Sequence, residues 1–150
     1  MSTRYTAQQI AHWILAYNEY IKAEKDADSI SNLKMQKLLY YSQCAHLAIY
    51  DKPLFDDPIE AWLHGPVVPS VYHEYKGCGA NGIEPEGFDM REIDSETRGF
   101  LEMVYDGFAQ YSAWKLREMT HEETPWRETP QNGTIAHRAM QKYFTENYID

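Results

Sequence analysis

Cysteine is scarce in this chain, and basic charge is outnumbered. Cys44 and Cys78 are the two cysteines among 150 residues, too few for a disulfide framework, which makes free thiols the expectation. A chain of this length buries on the order of 70% of its unfolded surface, so a hydrophobic core suffices without a covalent staple or structural metal. Lys and Arg number 14 against 23 Asp and Glu, a net charge of −9. The largest basic cluster is Lys34 with Lys37, and an acidic surface without a basic stripe repels a phosphate backbone, so nucleic acid is excluded as a general partner. The opening residues, MSTRYTAQQIAHW, lack the apolar core of a secretory signal. Leu38–Tyr50 carries no formal charge over thirteen residues, short of the roughly 20 that a membrane span needs. A cytoplasmic protein is expected.

The motifs of common catalysts are missing too. There is no GxSxG, no GxGxxG, no phosphate-binding loop, no HExxH and no pair of CxxC motifs. Six histidines are present. Cys44 and His46 stand two apart on a helix and diverge, whereas His73-Glu74 and His121-Glu122-Glu123 lack metalloprotease spacing. Adjacent acids such as Asp56-Asp57 and Glu122-Glu123 diverge on regular structure. No metal or cofactor is expected. If the chain were an enzyme, the candidate groups would be His121 with Glu122, or His46 with Cys44, as a small hydrolase.

What the chain has in abundance is aromatic side chains, 14% of residues, with 12 Tyr and 4 Trp. Such rings fill cores and also anchor protein interfaces. The uncharged stretch Leu38–Tyr50 organises the rest. Leu38, Ser42, Ala45 and Ile49 share one helical stripe; Met35, Leu39, His46 and Tyr50 share another. A helix apolar on most sides is a buried one, so residues 32–50 are read as a central helix capped by Ser31 or Asn32.

Before it, Thr6 caps a helix over Ala7–Ala23 with Ile10, Ile14, Tyr17 and Ile21 inward and Trp13 beside them, forming a helical hairpin across the Glu24–Ser29 loop. After it, Ile59–His64 alternates, which fits either a short strand with Leu54-Phe55 as candidate partner or extended coil, since a lone two-stranded ribbon is marginal. The two prolines of Gly65-Pro66-Val67-Val68-Pro69 open a helix to about Tyr75. Lys76–Met90, rich in glycine, is the one long loop. Further helices follow at Glu96–Gln110, from Ser112 to Thr120, and from a Thr134 cap to Tyr148, with a polar connector over His121–Gly133 around Pro125-Trp126. No internal repeat is present. The expected fold is mainly α: a compact single-domain helical bundle over residues 1–150 around the buried central helix, with at most a short β element near 54–64.

Two stretches carry a resemblance. Lys34-x-x-Lys37-Leu38-Leu39-Tyr40-Tyr41, then Pro53-Leu54-Phe55, Glu60-Ala61-Trp62 and Gly65-Pro66-Val67-Val68-Pro69-x-Val71-Tyr72 are similar to the signature of the Panacea domain, the SocA-like antitoxin family once described as phage-associated proteins. Leu116-x-x-Met119-Thr120-His121-x-x-x-x-Pro125-Trp126 resembles the second signature of that family. The resemblance implies a mainly helical antitoxin whose partner is a cognate toxin encoded beside it, neutralised by direct binding, with delivery of the toxin to a cellular protease as a further mode. On this reading Lys37, Tyr40, Tyr41, Trp62, Val67 and Tyr72 line the partner-binding groove. Desolvated aromatics supply affinity, and the acidic surplus steers a basic toxin.

Overall fold

The computed structural model describes residues 5–25, 27–85 and 87–149. The predicted loops at 24–29 and 76–90 include Asp26 and Glu86, which lie outside the described residues. Among the described residues seven α-helices and one two-stranded sheet are present, a mainly α architecture as the periodicity implied.

The first helix, α1 (Ala7–Glu24), begins where Thr6 accepts from the Gln9 backbone and Gln9 reaches back to the Thr6 amide, a reciprocal capping box. Ile10 and Ile14 face the core, and Trp13, placed beside the stripe by sequence, is buried. The central helix, α2 (Asn32–Tyr50), is capped by the Ser31 hydroxyl and ends at Asp51 in the left-handed region. Met35–Ala45 and Leu47 are buried, and the helix surfaces only at Ile49 and Tyr50. It is surrounded on several sides, by α4 (Ser95–Phe108), α5 (Ala113–His121) and, most extensively, α7 (His137–Tyr148). Its sequence neighbour α1 touches it less, so the expected helical hairpin is not the dominant packing unit. Residues that meet only after ninety intervening positions form the main contact, which local pattern cannot reveal.

The β element differs from expectation in partner and position. Strand β1 (Glu60–Trp62) pairs antiparallel with β2 (Gly65–Val67), in the register Glu60 with Val67 and Trp62 with Gly65. Leu54-Phe55 is not the partner; Phe55 instead bridges to Tyr5. Pro66 therefore lies in a strand, and Pro69 opens helix α3 (Pro69–Tyr75) at its first position, where a missing N–H costs nothing. The edge of β1 is covered from far along the chain. The Ala61 amide donates to the Gly133 carbonyl (2.9 Å), the Asn132 amide to the Ala61 carbonyl (2.6 Å), and the Ile135 amide to the Ile59 carbonyl (2.8 Å). Thr134, expected to cap the final helix, bridges Glu60 instead, and α7 starts at His137 without a side-chain cap.

Of Asp94 and Ser95, the two polar residues placed to cap α4, Asp94 does so, and Ser112 caps α5. The connector at 121–133 contains one short helix, α6 (Thr124–Arg127). The long loop is pinned in part: Ile83 is buried, and its amide donates to the Ile30 carbonyl at 2.8 Å. Among the described residues no helix is long and apolar enough to cross a membrane.

Candidate functional site

The central helix is less purely apolar than its uncharged sequence implied. Asn32, Gln36, Lys37, Ser42 and Gln43 are all buried polar side chains on it. Burying a polar group without a partner costs free energy, so each must be satisfied. Gln36 and Gln43 stand two helical turns apart, on one face. The Gln36 carbonyl accepts from the Val68 amide at 2.9 Å. The Gln43 carbonyl accepts from the Leu54 amide at 2.7 Å, and its amide donates to the Phe55 carbonyl at 2.8 Å. Asn32 donates to the Tyr72 carbonyl at 3.1 Å. One side of α2 thus holds the irregular segment from Leu54 to Tyr72 by its backbone and fixes how the β1–β2 hairpin stands.

Lys37 belongs to the same side. Its ammonium nitrogen donates to the Pro66 carbonyl at 3.2 Å and is fully buried. Burial, with a smaller contribution from Arg117, lowers its pKa to about 7. Beside it Gly65 has φ of +113°, and a Cβ there would meet Lys37 Cε at 2.8 Å and Thr120 Oγ1 at 2.9 Å. Only glycine fits both the conformation and the space.

A second node lies one turn further along α2. The Tyr40 hydroxyl donates to Glu123 Oε1 at 3.1 Å. Tyr41 and Tyr148 donate to Glu123 Oε2 at 2.8 and 2.7 Å. Glu123 is buried, and burial raises its pKa, partly offset by the hydroxyls of Tyr148, Tyr41 and Tyr40. Burial likewise raises all three phenols. Tyr41 stacks on Phe108 at 4.1 Å between ring centroids, and Tyr148 sits edge-on to Phe108. The node therefore ties α2, α4, α6 and α7 together. On its outer side an open cleft of about 360 Å³ is lined by Lys115, Glu118, Glu122, Tyr143 and Tyr148.

Of the six residues assigned to a partner groove, the structure buries four: Lys37, Tyr40, Tyr41 and Val67. In the fold their side chains lie beneath the hairpin, packed in the interior. Trp62 and Tyr72 are half-buried and meet edge to face at 5.0 Å. The Trp62 indole donates to Glu60 at 2.9 Å, and its carbonyl accepts from the Trp126 indole at 2.8 Å. Trp126 in turn stacks on His121, centroids 4.0 Å apart.

Sequence reasoning missed Glu123, dismissed because it adjoins Glu122. It also missed the hairpin tip. There Leu63 is 64% exposed and His64 accepts from Arg117 Nε at 3.3 Å, while the Arg117 guanidinium lies 4.6 Å over the Trp114 ring. A signal existed in the second signature, which spans Leu116 to Trp126 and brackets Glu123.

The pairs considered for hydrolysis do not assemble. Cys44 is buried with its thiol pushed well up by burial, and the His46 Nδ1 is engaged with the Lys52 carbonyl at 2.6 Å. His121 stacks on Trp126 and Glu122 points into solvent. Among the described residues no three His, Cys, Asp or Glu side chains gather as metal ligands do.

The buried polar side chains of the helical scaffold thus fix an aromatic hairpin by its backbone. Residues 35–127 match the family model described as Antitoxin SocA-like, Panacea domain, and the chain belongs to that family. A curated relative, Antitoxin SocA of Caulobacter vibrioides (strain NA1000 / CB15N), is 44% identical over 54 residues, which cover 36% of this chain and 29% of that protein. The chain thus matches under a third of that relative's length. No solved structure matches.

Proposed function

We propose that this chain is an antitoxin, working as one domain, that neutralises a toxin encoded beside it by direct protein–protein binding. The observation that carries the reading is the family match over 35–127. It covers the residues that build the support, Lys37, Tyr40 and Glu123, and the hairpin they hold up. Trp62 and Tyr72 sit on the exposed side of that support, and their neighbours Leu63 and His64 project beyond it. Buried side chains below and half-buried aromatics above suit a surface that binds without rearranging. The net charge of −9 favours approach of a basic partner at long range. On this reading the chain needs no bond-making chemistry, and handing the bound toxin to a protease is a later step that the same contact permits.

The test is co-expression with the product of the adjacent reading frame. Growth rescue together with co-purification of a stoichiometric complex is expected. A neighbour that is toxic yet neither rescued nor bound refutes the reading.

A further inference from the structure

We infer that the β1–β2 hairpin tip and the first turns of α5 form a docking surface for a partner polypeptide that presents a carboxylate side chain flanked by an apolar one. The inference rests on the antitoxin reading only for the identity of the natural partner; the surface can be probed without it.

The composition of the patch is the first argument. Leu63 and Trp114 are the two most exposed large hydrophobic side chains among the described residues, at 64% and 60%. Between them lie His64 and Arg117, bonded to each other, with the guanidinium held over Trp114. Tryptophan and arginine are both residue types enriched at the energetic centres of interfaces. The stacking also orders the guanidinium in advance, so less freedom is lost when it grips a planar anion.

Charge is the second argument, and it decides what the occupant must be. In a chain with nine more acids than bases, no carboxylate among the described residues stands within ion-pair distance of Arg117. The groups that feel Arg117 are other bases: Lys37 and His121 each have their pKa lowered by burial and by Arg117, and His121 also by Lys37 and His64, against a smaller opposing effect of the Leu63 backbone. The donors are under-used as well. His121 Nε2 is buried with no hydrogen-bond partner, and Lys37, with three N–H groups when charged, has the Pro66 carbonyl alone. Arg117 therefore stands beneath an apolar rim with Lys37 and His121, whose protonated forms it disfavours, and with no carboxylate beside it; an anion placed against Arg117 offsets that unfavourable grouping. A basic partner steered by the overall negative charge need supply only one acidic side chain at this point, because the attraction acts within a Debye length, about 8 Å in physiological salt.

The experiment is an NMR titration of the whole chain, labelled with nitrogen-15, in about 0.15 M salt. Three probes are compared: acetyl-Leu-Glu-Leu-amide, its neutral isostere acetyl-Leu-Gln-Leu-amide, and inorganic phosphate. The expected result is movement of the Trp114 indole N–H, the Arg117 Nε–H and the Leu63 and His64 amides with the Glu peptide. With the Gln peptide or phosphate the affinity should be weaker by about threefold or more. R117Q and W114A, both surface changes that leave the rest of the spectrum in place, should each abolish the discrimination between Glu and Gln peptides. Equal response to phosphate would make this a bare anion site and overturn the proposal. So would shifts centred elsewhere, or none. Failure of the chain to rescue growth from its neighbour would sink the antitoxin reading while leaving this result standing, so the two are separable.

Discussion

Two buried charges of opposite sign sit against the same helix and are treated differently. Glu123 receives three tyrosine hydroxyls, one of them from the distant helix α7. Lys37, one turn away on α2, donates to one carbonyl and lies so near Gly65 that any side chain there would meet it. A carboxylate with its oxygens occupied contributes to a unique packing of four helices. An ammonium with one acceptor, below an exposed hairpin, is a cost that the fold alone does not repay. The tyrosine node is a satisfied junction of four helices, whereas the lysine node is a poorly satisfied one beneath the hairpin.

The comparison can be broken most directly at Glu123. Glu123→Ala strands the Tyr40 and Tyr41 hydroxyls in the core and should lower the unfolding free energy by about 3–5 kcal/mol, read by urea titration; a loss below about 1 kcal/mol would show that the node does not hold the fold. Glu123→Gln keeps one acceptor and should cost about 1–3 kcal/mol. The opposite sign is expected at the other node. Lys37→Met should raise stability at pH 7 by about 1–4 kcal/mol, because an apolar chain of similar length replaces a poorly paired amine.

The pH dependence sharpens the same point. Lys37 has a folded pKa of about 7, below its unfolded value of 10.5. The folded state thus binds fewer protons between those values, and stability rises as pH increases from about 7 toward 9.5. Above pH 10 the raised phenols of Tyr40, Tyr41 and Tyr148 act the other way, since the unfolded chain then loses protons more readily. Thermal melts from pH 7 to 9.5 should show the rise in the native chain and a flat profile in Lys37→Met.

Smaller effects complete the series. Gly65→Ala forces a side chain into a left-handed backbone and against Lys37, at a cost of about 1–3 kcal/mol. Leu63→Ser, on the open tip, should change stability by less than about 0.5 kcal/mol while weakening partner binding; a large stability loss would place Leu63 in the scaffold instead.

Most of the helices were legible because their signals are local. Thr6, Ser31, Asp94 and Ser112 all cap where a short polar side chain precedes an apolar stripe. The uncharged run Leu38–Tyr50 announced its own burial. Three features escaped for one reason: they depend on contacts remote in sequence. Thr134 has the chemistry of a cap, yet Gly133 and Asn132 take that segment onto β1, and the helix starts later. Pro66 has the chemistry of a helix start, yet its carbonyl is held by Lys37 in a strand. Aromatic residues next to a recognisable motif read as a binding surface, but Tyr40 and Tyr41 turn inward because Glu123, more than eighty positions away, offers them oxygens.

Helix α7 clamps the far end of α2 through Gln141, whose amide donates to the Leu47 carbonyl across 94 intervening steps of chain. A ribosome adding about 5–20 residues per second needs several seconds to cover that interval. During it, the most extensively buried helix of the molecule has emerged while its lid has not yet been made. A nascent chain of this kind therefore passes through a window of stickiness that the finished protein never shows, and stop codons placed before residue 137 should yield aggregates and degradation products in place of a smaller folded protein.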